Sequence, residues 1–173
     1  MKKLYRLMRH DWPVHFLLLI TNWLPDNVPV LRLRGALVRP FLGSCGKNLR
    51  LGRNITFYNP GSIEIGSDVY IAYGCWFMAG AIIHIEDEVM FGPYCVVVSS
   101  NHTYKQGSHR DGDTKREQII IGHGAWIAAH VTITAGSEVG RGASVAANAV
   151  VHGKLPNNVL AGGQPAKVIK TYE

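Results

Sequence analysis

The sequence is poor in cysteine, has no long apolar run and has almost no acidic residues in its first third. Three cysteines, Cys45, Cys75 and Cys95, leave one thiol unpaired under any disulfide pairing. That count argues against a disulfide framework and favours reduced core residues in a cytosolic protein. The apolar stretch of residues 14–24 has only about 11 residues, whereas roughly 20 are needed to cross a bilayer. Since no small-x-small cleavage site follows it, we expect neither a transmembrane helix nor a secretory signal.

Charge is distributed unevenly along the chain. Residues 1–53 contain ten Lys and Arg against Asp11 and Asp26, a net of +8. Residues 54–173 contain eight Lys and Arg against ten Asp and Glu, a net of −2. Basic residues beside an apolar stretch suit an anionic membrane surface. The sequence lacks the basic and aromatic stripe of a nucleic-acid-binding module, so we expect no nucleic-acid partner.

Residues 1–45 are predicted to form a basic amphipathic helical segment. Apolar residues recur at helical spacing from Leu4 to Trp12, and Pro13 should kink or restart the helix. A second short helix is predicted over residues 30–42. Two interpretations stay open: the helices cap the domain that follows, or they make peripheral contact with the inner face of the membrane.

From Leu51 onward the apolar pattern has a period of six. The large repeating residues are Ile65, Ile71, Phe77, Ile85, Phe91, Val97, Ile121, Ile127, Ile133, Val139, Val145 and Val151. The fourth residue after most of them is small or β-branched. A period of six fits a short strand followed by a corner, and it does not fit a helix.

Each such strand buries too little apolar surface by itself, so successive coils must stack at about 4.8 Å to build a core. The sequence therefore predicts an all-β protein, a parallel β-helix over residues 46–155. A short C-terminal tail is predicted over residues 156–173.

Two stretches interrupt the repeat. The coil from Ile65 to Ile85 is two residues longer than three hexapeptides, and we predict Ile83 and His84 to be the surplus. The second interruption is a polar loop over residues 99–118, predicted to protrude. Long loops in compact domains are usually functional, so this loop is the predicted centre of the active site.

At this point the sequence resembles the hexapeptide-repeat acyltransferases, in the branch of the maltose and galactoside O-acetyltransferases. The resemblance covers residues 46–170 and is strongest over residues 121–128 and 156–169. It implies a left-handed parallel β-helix, although general crossover rules favour the right hand. It also implies a homotrimer that binds acetyl-CoA along clefts between subunits.

The resemblance implies that His102 is the general base, because the family places a histidine at the start of this loop. Imidazole, with an unperturbed pKa of about 6.5, can accept a hydroxyl proton near neutrality, and such catalysis contributes about 10² to 10⁴ in rate. We expect the sugar hydroxyl to attack the thioester directly, without an acyl-enzyme. Asp87, Asp111, Asp113 or a backbone carbonyl are the candidates to orient the imidazole.

The resemblance also implies a set of contacts to acetyl-CoA, the predicted co-substrate. The pantetheine arm would lie along corner backbone groups, and the nucleotide end would meet lysines suited to phosphate. The predicted positions are Trp126, Ala129, Ala147, His152, Gly153, Lys167 and Lys170. Plain alternatives are a trimer-interface role for the tryptophan and surface solubility for the lysines.

The acceptor pocket should differ from that of the maltose and galactoside enzymes, which present an asparagine where this chain has Ala72. The predicted acceptor-binding residues are Asn101, Tyr104, Tyr73 and Asp87. The basic start, rich in Leu, Trp and Pro, is more similar to acetyltransferases of polysaccharide biosynthesis. Some of their acceptors are lipid-linked saccharides.

Eight histidines raise the question of a metal site, because the γ-type carbonic anhydrases share the left-handed β-helix and bind zinc with three histidines. The pairs His102 with His109 and His123 with His130 do not have the spacing of that site, so we expect no metal. The predicted function is a cytoplasmic, acetyl-CoA-dependent O-acetyltransferase acting on a saccharide. N-acyl transfer to an amino sugar and a non-catalytic scaffold are the alternatives.

Overall fold

The computed structural model describes residues 2–173, with side chains from Leu4 onward. Met1 and the side chains of Lys2 and Lys3, which belong to the predicted helical segment, lie outside the described part. The chain begins with helices. They are α1 (Lys2–Arg6), a π-helical turn (Leu7–Asp11), α2 (Trp12–Thr21), α3 (Val28–Val38) and a 3-10 turn (Arg39–Phe41).

Short strands make up most of the remaining chain. In chain order they are β1 (Ser44–Cys45), β2 (Arg50–Leu51), β3 (Thr56–Tyr58), β4 (Ile63–Ile65), β5 (Tyr70–Ile71), β6 (Trp76–Met78), β7 (Ile83–Ile85), β8 (Met90–Phe91), β9 (Val96–Val98), β10 (Ser100–His102), β11 (Thr114–Arg116), β12 (Ile119–Ile121), β13 (Trp126–Ile127), β14 (Thr132–Ile133), β15 (Glu138–Val139), β16 (Ser144–Val145), β17 (Val150–Val151), β18 (Lys154–Leu155), β19 (Val159–Gly162) and β20 (Lys167–Thr171). A one-turn 3-10 helix (Pro60–Ser62) lies between β3 and β4.

Three parallel sheets form the sides of a coil of about six turns. Sheet A contains β1, β4, β7, β12, β15 and β18; sheet B contains β2, β5, β8, β13, β16 and β19; sheet C contains β3, β6, β9, β14 and β17. The chain passes from A to B to C in each turn, and we name the corners A–B, B–C and C–A. The architecture is the left-handed parallel β-helix that the resemblance implied.

The predicted six-residue register is confirmed by the strand pairing. Ile85 pairs with Ile65 below it and with Ile121 above it, and all three side chains are buried. The large repeating residues named above are all buried in one continuous core. Stacked, like-sized side chains fill the interior because each strand repeats the position of the strand below.

The prediction that Ile83 and His84 are surplus residues is wrong. Ile83 pairs with Ile63 and Ile119 in sheet A and is fully buried. The extra length is taken up just before it, by residues 79–82 at the C–A corner. The run of isoleucines there fits two phases of the repeat, and only strand pairing distinguishes them.

The β-helix extends further at both ends than the predicted range of 46–155. It begins with β1, and β19 stacks on β16 as a further strand of sheet B. The rest of the predicted tail turns back as β20, which pairs antiparallel with β19. This strand covers what would otherwise be an open sheet edge.

The N-terminal helices close the first turn of the coil. Val14 and Leu18 of α2 and Val38 of α3 are buried in the same core as Leu51. Asn27 caps α3, its side-chain oxygen accepting a hydrogen bond of 3.1 Å from the Val30 N–H. The N-terminal helices therefore cap the open end of the coil, one of the two roles that the sequence left open.

Arg34 of α3 lies fully buried beneath the coil. Its guanidinium pairs with the Asp26 carboxylate at 2.6 Å and donates hydrogen bonds to the carbonyls of Thr21, Leu24 and Leu51. A buried charge needs such partners. This residue thus joins both helices to the first strand of sheet B.

Within the described residues, no helix combines the length and the apolar character that crossing a bilayer would require.

Candidate active site

The predicted protruding loop contains strands of its own. β10 and β11 form an antiparallel hairpin in which Ser100 faces Arg116 and His102 faces Thr114. Beyond His102, the Thr103 N–H donates to the Asp113 carbonyl at 2.9 Å. We call residues 100–116 the His102 hairpin. It leaves the coil at the C–A corner, between β9 and β12.

The base of the hairpin is fixed to the turn below it. The buried Ser99 hydroxyl donates to the Ala81 carbonyl at 2.8 Å and accepts from the Ala81 N–H at 2.9 Å. The returning strand is held by the Glu117 N–H, which donates to the Ser99 carbonyl at 3.1 Å. A methyl group at Gly80 would lie 2.7 Å from the Ser100 side chain, so glycine permits this close approach.

Sequence reasoning missed the roles of Ser99 and Gly80. A signal was available, because Ser99 interrupts the run of apolar residues that line the coil. Its buried hydroxyl needs hydrogen-bond partners, and the backbone of Ala81, in the longer corner of the turn below, supplies them. Ser137, one turn later at the same corner, is also buried, and its hydroxyl donates to the Val151 carbonyl of the turn above at 3.1 Å.

His102 itself is exposed, together with its neighbour Asn101. Alternate residues of a strand point to opposite sides, so the two side chains leave β10 in different directions. Tyr104 lies further along the hairpin with its ring 5.5 Å from that of His109. The structure thus brings three predicted residues, Asn101, His102 and Tyr104, onto one hairpin with an imidazole open to an incoming substrate.

Asp87 lies at a different corner from His102. It follows β7 at the A–B corner, where its carboxylate accepts a hydrogen bond of 2.6 Å from the Ser67 N–H. Asp87 therefore does not orient His102 within one chain, because the residues directly below the hairpin are those of the C–A corner. Asp111 and Asp113 share the hairpin with His102.

Ala129 and Ala147 lie one above the other at the B–C corner. The Ala129 carbonyl accepts a hydrogen bond of 3.0 Å from the Asn148 N–H, next to Ala147. Tyr73 belongs to the same corner two turns below Ala129, and its ring lies against Tyr94 with centroids 5.4 Å apart. Trp126 points outward from sheet B and is 50% exposed.

His152 and Gly153 lie at the C–A corner, the corner of the His102 hairpin. His152 Nδ1 is 3.1 Å from the Thr134 hydroxyl, which in turn donates to the Val151 carbonyl. Lys167 and Lys170 are exposed on β20 beside sheet B. The Lys170 ammonium lies 5.2 Å from the Tyr172 ring centroid.

The predicted residues therefore fall into separate groups within one chain. His102, His152 and Gly153 occupy the C–A corner, whereas Ala129, Ala147 and Tyr73 occupy the B–C corner. The full width of sheet C separates these two corners. A single chain does not gather all of the predicted residues around one point.

The cysteine thiols are poorly suited to act as nucleophiles. Cys75 and Cys95 are fully buried, and both thiols donate to the Gly92 carbonyl. The contact with Cys95 and burial raise the pKa of the Cys75 thiol. Burial raises the pKa of Cys45 to about 11, against the opposing effect of Arg39. Reactive cysteines are exposed thiolates, and these three differ from them.

The histidine pairs weighed as metal ligands are spread over the surface. His123 lies at the A–B corner, with Nε2 3.7 Å from a Glu88 carboxylate oxygen, whereas His130 stacks on Tyr94 at the B–C corner. In the part of the chain that the structure describes, no three His, Cys, Asp or Glu side chains are grouped to hold a metal ion.

Comparison with known proteins shows that the chain is similar to acetyltransferases. The galactoside O-acetyltransferase of Escherichia coli is 26% identical over 137 residues, which cover 79% of this chain and 68% of that protein. A putative acetyltransferase of Staphylococcus aureus is 33% identical over 112 residues, 65% of this chain and 56% of that protein. No protein-family model matches the chain.

A solved structure of a maltose O-acetyltransferase from Clostridium difficile superimposes with a TM-score of 0.83 at 28% identity. It covers 97% of this chain and 88% of that one. The superposition therefore includes the N-terminal helices of this chain as well as its coil. By sequence and by fold, the chain is therefore similar to galactoside and maltose O-acetyltransferases, and its structural neighbours are hexapeptide-repeat acetyltransferases.

Proposed function

We propose that the protein transfers an acetyl group from acetyl-CoA to a hydroxyl group of a saccharide or polysaccharide precursor, with His102 as the general base. The observation that carries the proposal is an exposed imidazole held on a hairpin that interrupts the β-helix of an acetyltransferase homologue. Because acetyl-CoA is a cytoplasmic metabolite, the reaction is proposed to occur in the cytoplasm.

The proposed reaction is a direct transfer. The His102 imidazole accepts the proton of the acceptor hydroxyl while that oxygen attacks the thioester carbonyl. The tetrahedral intermediate then collapses, the carbon–sulfur bond breaks, and the imidazolium returns its proton to the leaving CoA sulfur. A protein nucleophile is not required, which agrees with the burial of Cys75 and Cys95.

Donor binding is proposed along the B–C corner and the last turn. Backbone groups at Ala129 and Ala147 would receive the pantetheine arm, beside Trp126. The exposed lysines on β20, Lys167 and Lys170, would contact the phosphates as compact positive charges. His152 and Gly153 lie at the C–A corner, so they would meet the nucleotide end of a donor bound at the B–C corner only from a neighbouring copy.

We propose a homotrimer, and the distribution of these residues supports it. The His102 hairpin and the alanine corner lie on opposite sides of sheet C, so one chain offers the base and the donor groove at separate places. In a closed threefold assembly, the C–A corner of one copy can approach the B–C corner of the next. Each of the three clefts would then combine a base from one copy with a donor groove from its neighbour.

The acceptor is proposed to contact Asn101 and Tyr104, which share the hairpin with His102. Tyr73 and Asp87 would contact it only from a neighbouring copy. The tyrosine rings offer faces on which a sugar can stack.

The test is acceptor-dependent release of free CoA thiol by the purified protein, against a panel of neutral sugars, amino sugars and lipid-linked saccharides. His102→Ala should lower the rate by about 10² to 10⁴ while leaving acetyl-CoA affinity by calorimetry unchanged. His84→Ala is the matched control, because His84 faces outward from sheet A next to Glu64.

The outcomes separate the alternatives. If free CoA thiol is released only with amino sugars, the reaction is N-acyl transfer and not O-acetyl transfer. If no acceptor causes thiol release and calorimetry detects no binding of acetyl-CoA, the non-catalytic scaffold is the remaining interpretation. Full activity in His102→Ala would show that another group is the base.

A further inference from the structure

The N-terminal helices expose a continuous apolar face that nothing in the chain covers among the described residues. Its members are separated by one, three or four positions, the spacing of one face of a helix. We call it the outer helix face; it consists of Leu4, Tyr5, Met8, Trp12, Phe16, Leu19, Ile20 and Trp23, each at least half exposed. Trp23 reaches 78% exposure and Tyr5 68%.

The opposite side of α2 is buried on the coil, through Val14 and Leu18. This helix is therefore apolar on both sides, which differs from the predicted amphipathic helix. A helix that is apolar all round is normally covered on all sides. Monomeric soluble proteins rarely expose apolar patches of this size unless the patch binds something.

The surroundings of the outer helix face are basic. Arg6 and Arg9 are exposed on the same helices, and Arg32 and Arg39 are exposed on the next two helical elements. The sequence also supplies Lys2 and Lys3.

The two acidic residues of this third of the chain are both engaged. Asp11 accepts a hydrogen bond from the Asn59 N–H, and Asp26 pairs with Arg34. The net charge of residues 1–53 therefore stays at +8.

The composition of the outer helix face matches the boundary between water and lipid. Tyr5, Trp12 and Trp23 are the amphipathic aromatic residues that concentrate at membrane interfaces. Residues 2–21 run as consecutive helical elements, about 30 Å long at 1.5 Å per residue. Helices with an apolar face containing Trp and Leu, flanked by Lys and Arg, lie in the plane of anionic membranes.

We propose that the outer helix face docks α1 and α2 flat on an anionic phospholipid membrane. The apolar side chains enter the headgroup and acyl boundary while Arg6 meets lipid phosphates. Contact between the same face on two copies would set segments of net charge +8 against each other. Lipid phosphates instead attract that charge.

The docking surface and the His102 hairpin share one corner of the coil. The Asp11 carboxylate meets Asn59 at the C–A corner of the first turn, and the Asn59 amide donates to the Ala79 carbonyl of the second at 2.9 Å. Ser99, at the hairpin base, belongs to the third turn, two strand spacings or about 10 Å higher. Resting on the proposed function, this proximity favours an acceptor saccharide carried by a membrane lipid.

The test is flotation of the protein, residues 1–173, with vesicles of phosphatidylcholine alone or of phosphatidylcholine mixed with anionic phosphatidylglycerol, which attracts basic segments. We expect binding to the anionic vesicles and release at high salt. The variants Ile20→Ser and Trp23→Ser should each weaken binding about tenfold. Arg6→Gln should weaken it about fivefold.

Matched controls come from exposed residues on other sides of the coil. Met90→Ser, on sheet B in the third turn, and Lys47→Gln, at the A–B corner, should bind vesicles like the unaltered protein. Circular dichroism of every variant verifies the fold. The substituted side chains of the outer helix face are exposed, so the fold should persist.

Two results would overturn the proposal. One is absence of binding to anionic vesicles. The other is unchanged vesicle binding by Ile20→Ser and Trp23→Ser with loss of the oligomer in sedimentation, which would assign the face to a second copy. Vesicle binding by His102→Ala is expected to be normal, so this test and that of the acetyl transfer fail independently.

Discussion

Ser99 and Ala81, on adjacent turns of the coil, are joined by a pair of hydrogen bonds through one buried hydroxyl. The serine stands directly before the strand that carries His102, and the alanine lies in the extra residues of the turn below. The pair therefore links the reactive hairpin to a corner of the rigid coil. Preorganised active-site groups depend on such supporting contacts.

Ser99→Ala removes both bonds and leaves the Ala81 N–H and carbonyl without that partner. The expected loss is about 1 to 3 kcal/mol of stability, a fall in the melting temperature of several degrees. If Ser99 positions the hairpin, kcat should fall while the KM for acetyl-CoA stays constant. Ser62→Ala, at the same corner of the first turn, is the control. Equal loss of kcat in both variants would contradict the positioning role.

Arg34→Met tests the cap on the first turn. The substitution leaves three backbone carbonyls and Asp26 without their buried donor, and should cost about 3 kcal/mol in the free energy of unfolding. Denaturant titration followed by circular dichroism measures it. Arg32→Met, exposed on the same helix, should change stability by less than about 0.5 kcal/mol. Similar losses of unfolding free energy in Arg34→Met and Arg32→Met would show that the buried contacts of Arg34 do not stabilise the fold.

Lys167→Gln and Lys170→Gln test the donor site. Hydrogen bonds to charged groups contribute about 1.5 to 3 kcal/mol, so each variant should weaken acetyl-CoA binding about tenfold in calorimetry. Dephospho-CoA has one phosphate fewer. Its affinity should fall less on substitution of the lysine that contacts the missing phosphate. Lys47→Gln serves as the charge control. Unchanged affinity in both variants would assign these lysines to solubility.

Thiol reactivity tests the environment of Cys45. Its raised pKa of about 11 keeps the thiol protonated at pH 8, so about one molecule in a thousand carries the thiolate. A disulfide exchange reagent should react slowly at pH 8 and faster as the pH rises toward 11. The same protein in guanidinium should titrate all three cysteines rapidly. Rapid reaction of one thiol in the folded state at pH 8 would contradict this prediction.

Much of the fold could be predicted because the repeat is local and regular. A hydrophobic residue at Ile121, Ile127 or Ile133 occupies the inward position of its own strand whatever the rest of the chain does. The assignment failed at Ile83, where neighbouring isoleucines permit two phases and only pairing with Ile63 and Ile119 selects one. Side-chain identity alone does not distinguish those phases.

The candidate site was only partly predictable. The hairpin was recognised as a break in the repeat, but its strand pairing and its attachment through Ser99 depend on residues of the turn below. Likewise, Asp87 lies in the same turn of the coil as the base of the His102 hairpin, but at a different corner. Distance around a coil depends on which corner a residue occupies, and that requires the complete register.

The sequence by itself determined a parallel β-helix, its inward residues and the loop that bears His102, because a period of six fits a short strand followed by a corner and does not fit a helix. Only the tertiary structure decided which corner each functional residue occupies, how β20 closes the last turn, and which side of α2 stays uncovered. The residues of α2 are apolar all round. Such a sequence predicts that the helix is covered, but it does not identify the surface that covers each side. Packing of Val14 and Leu18 on the first turn settles one side and leaves Trp12, Ile20 and Trp23 facing outward.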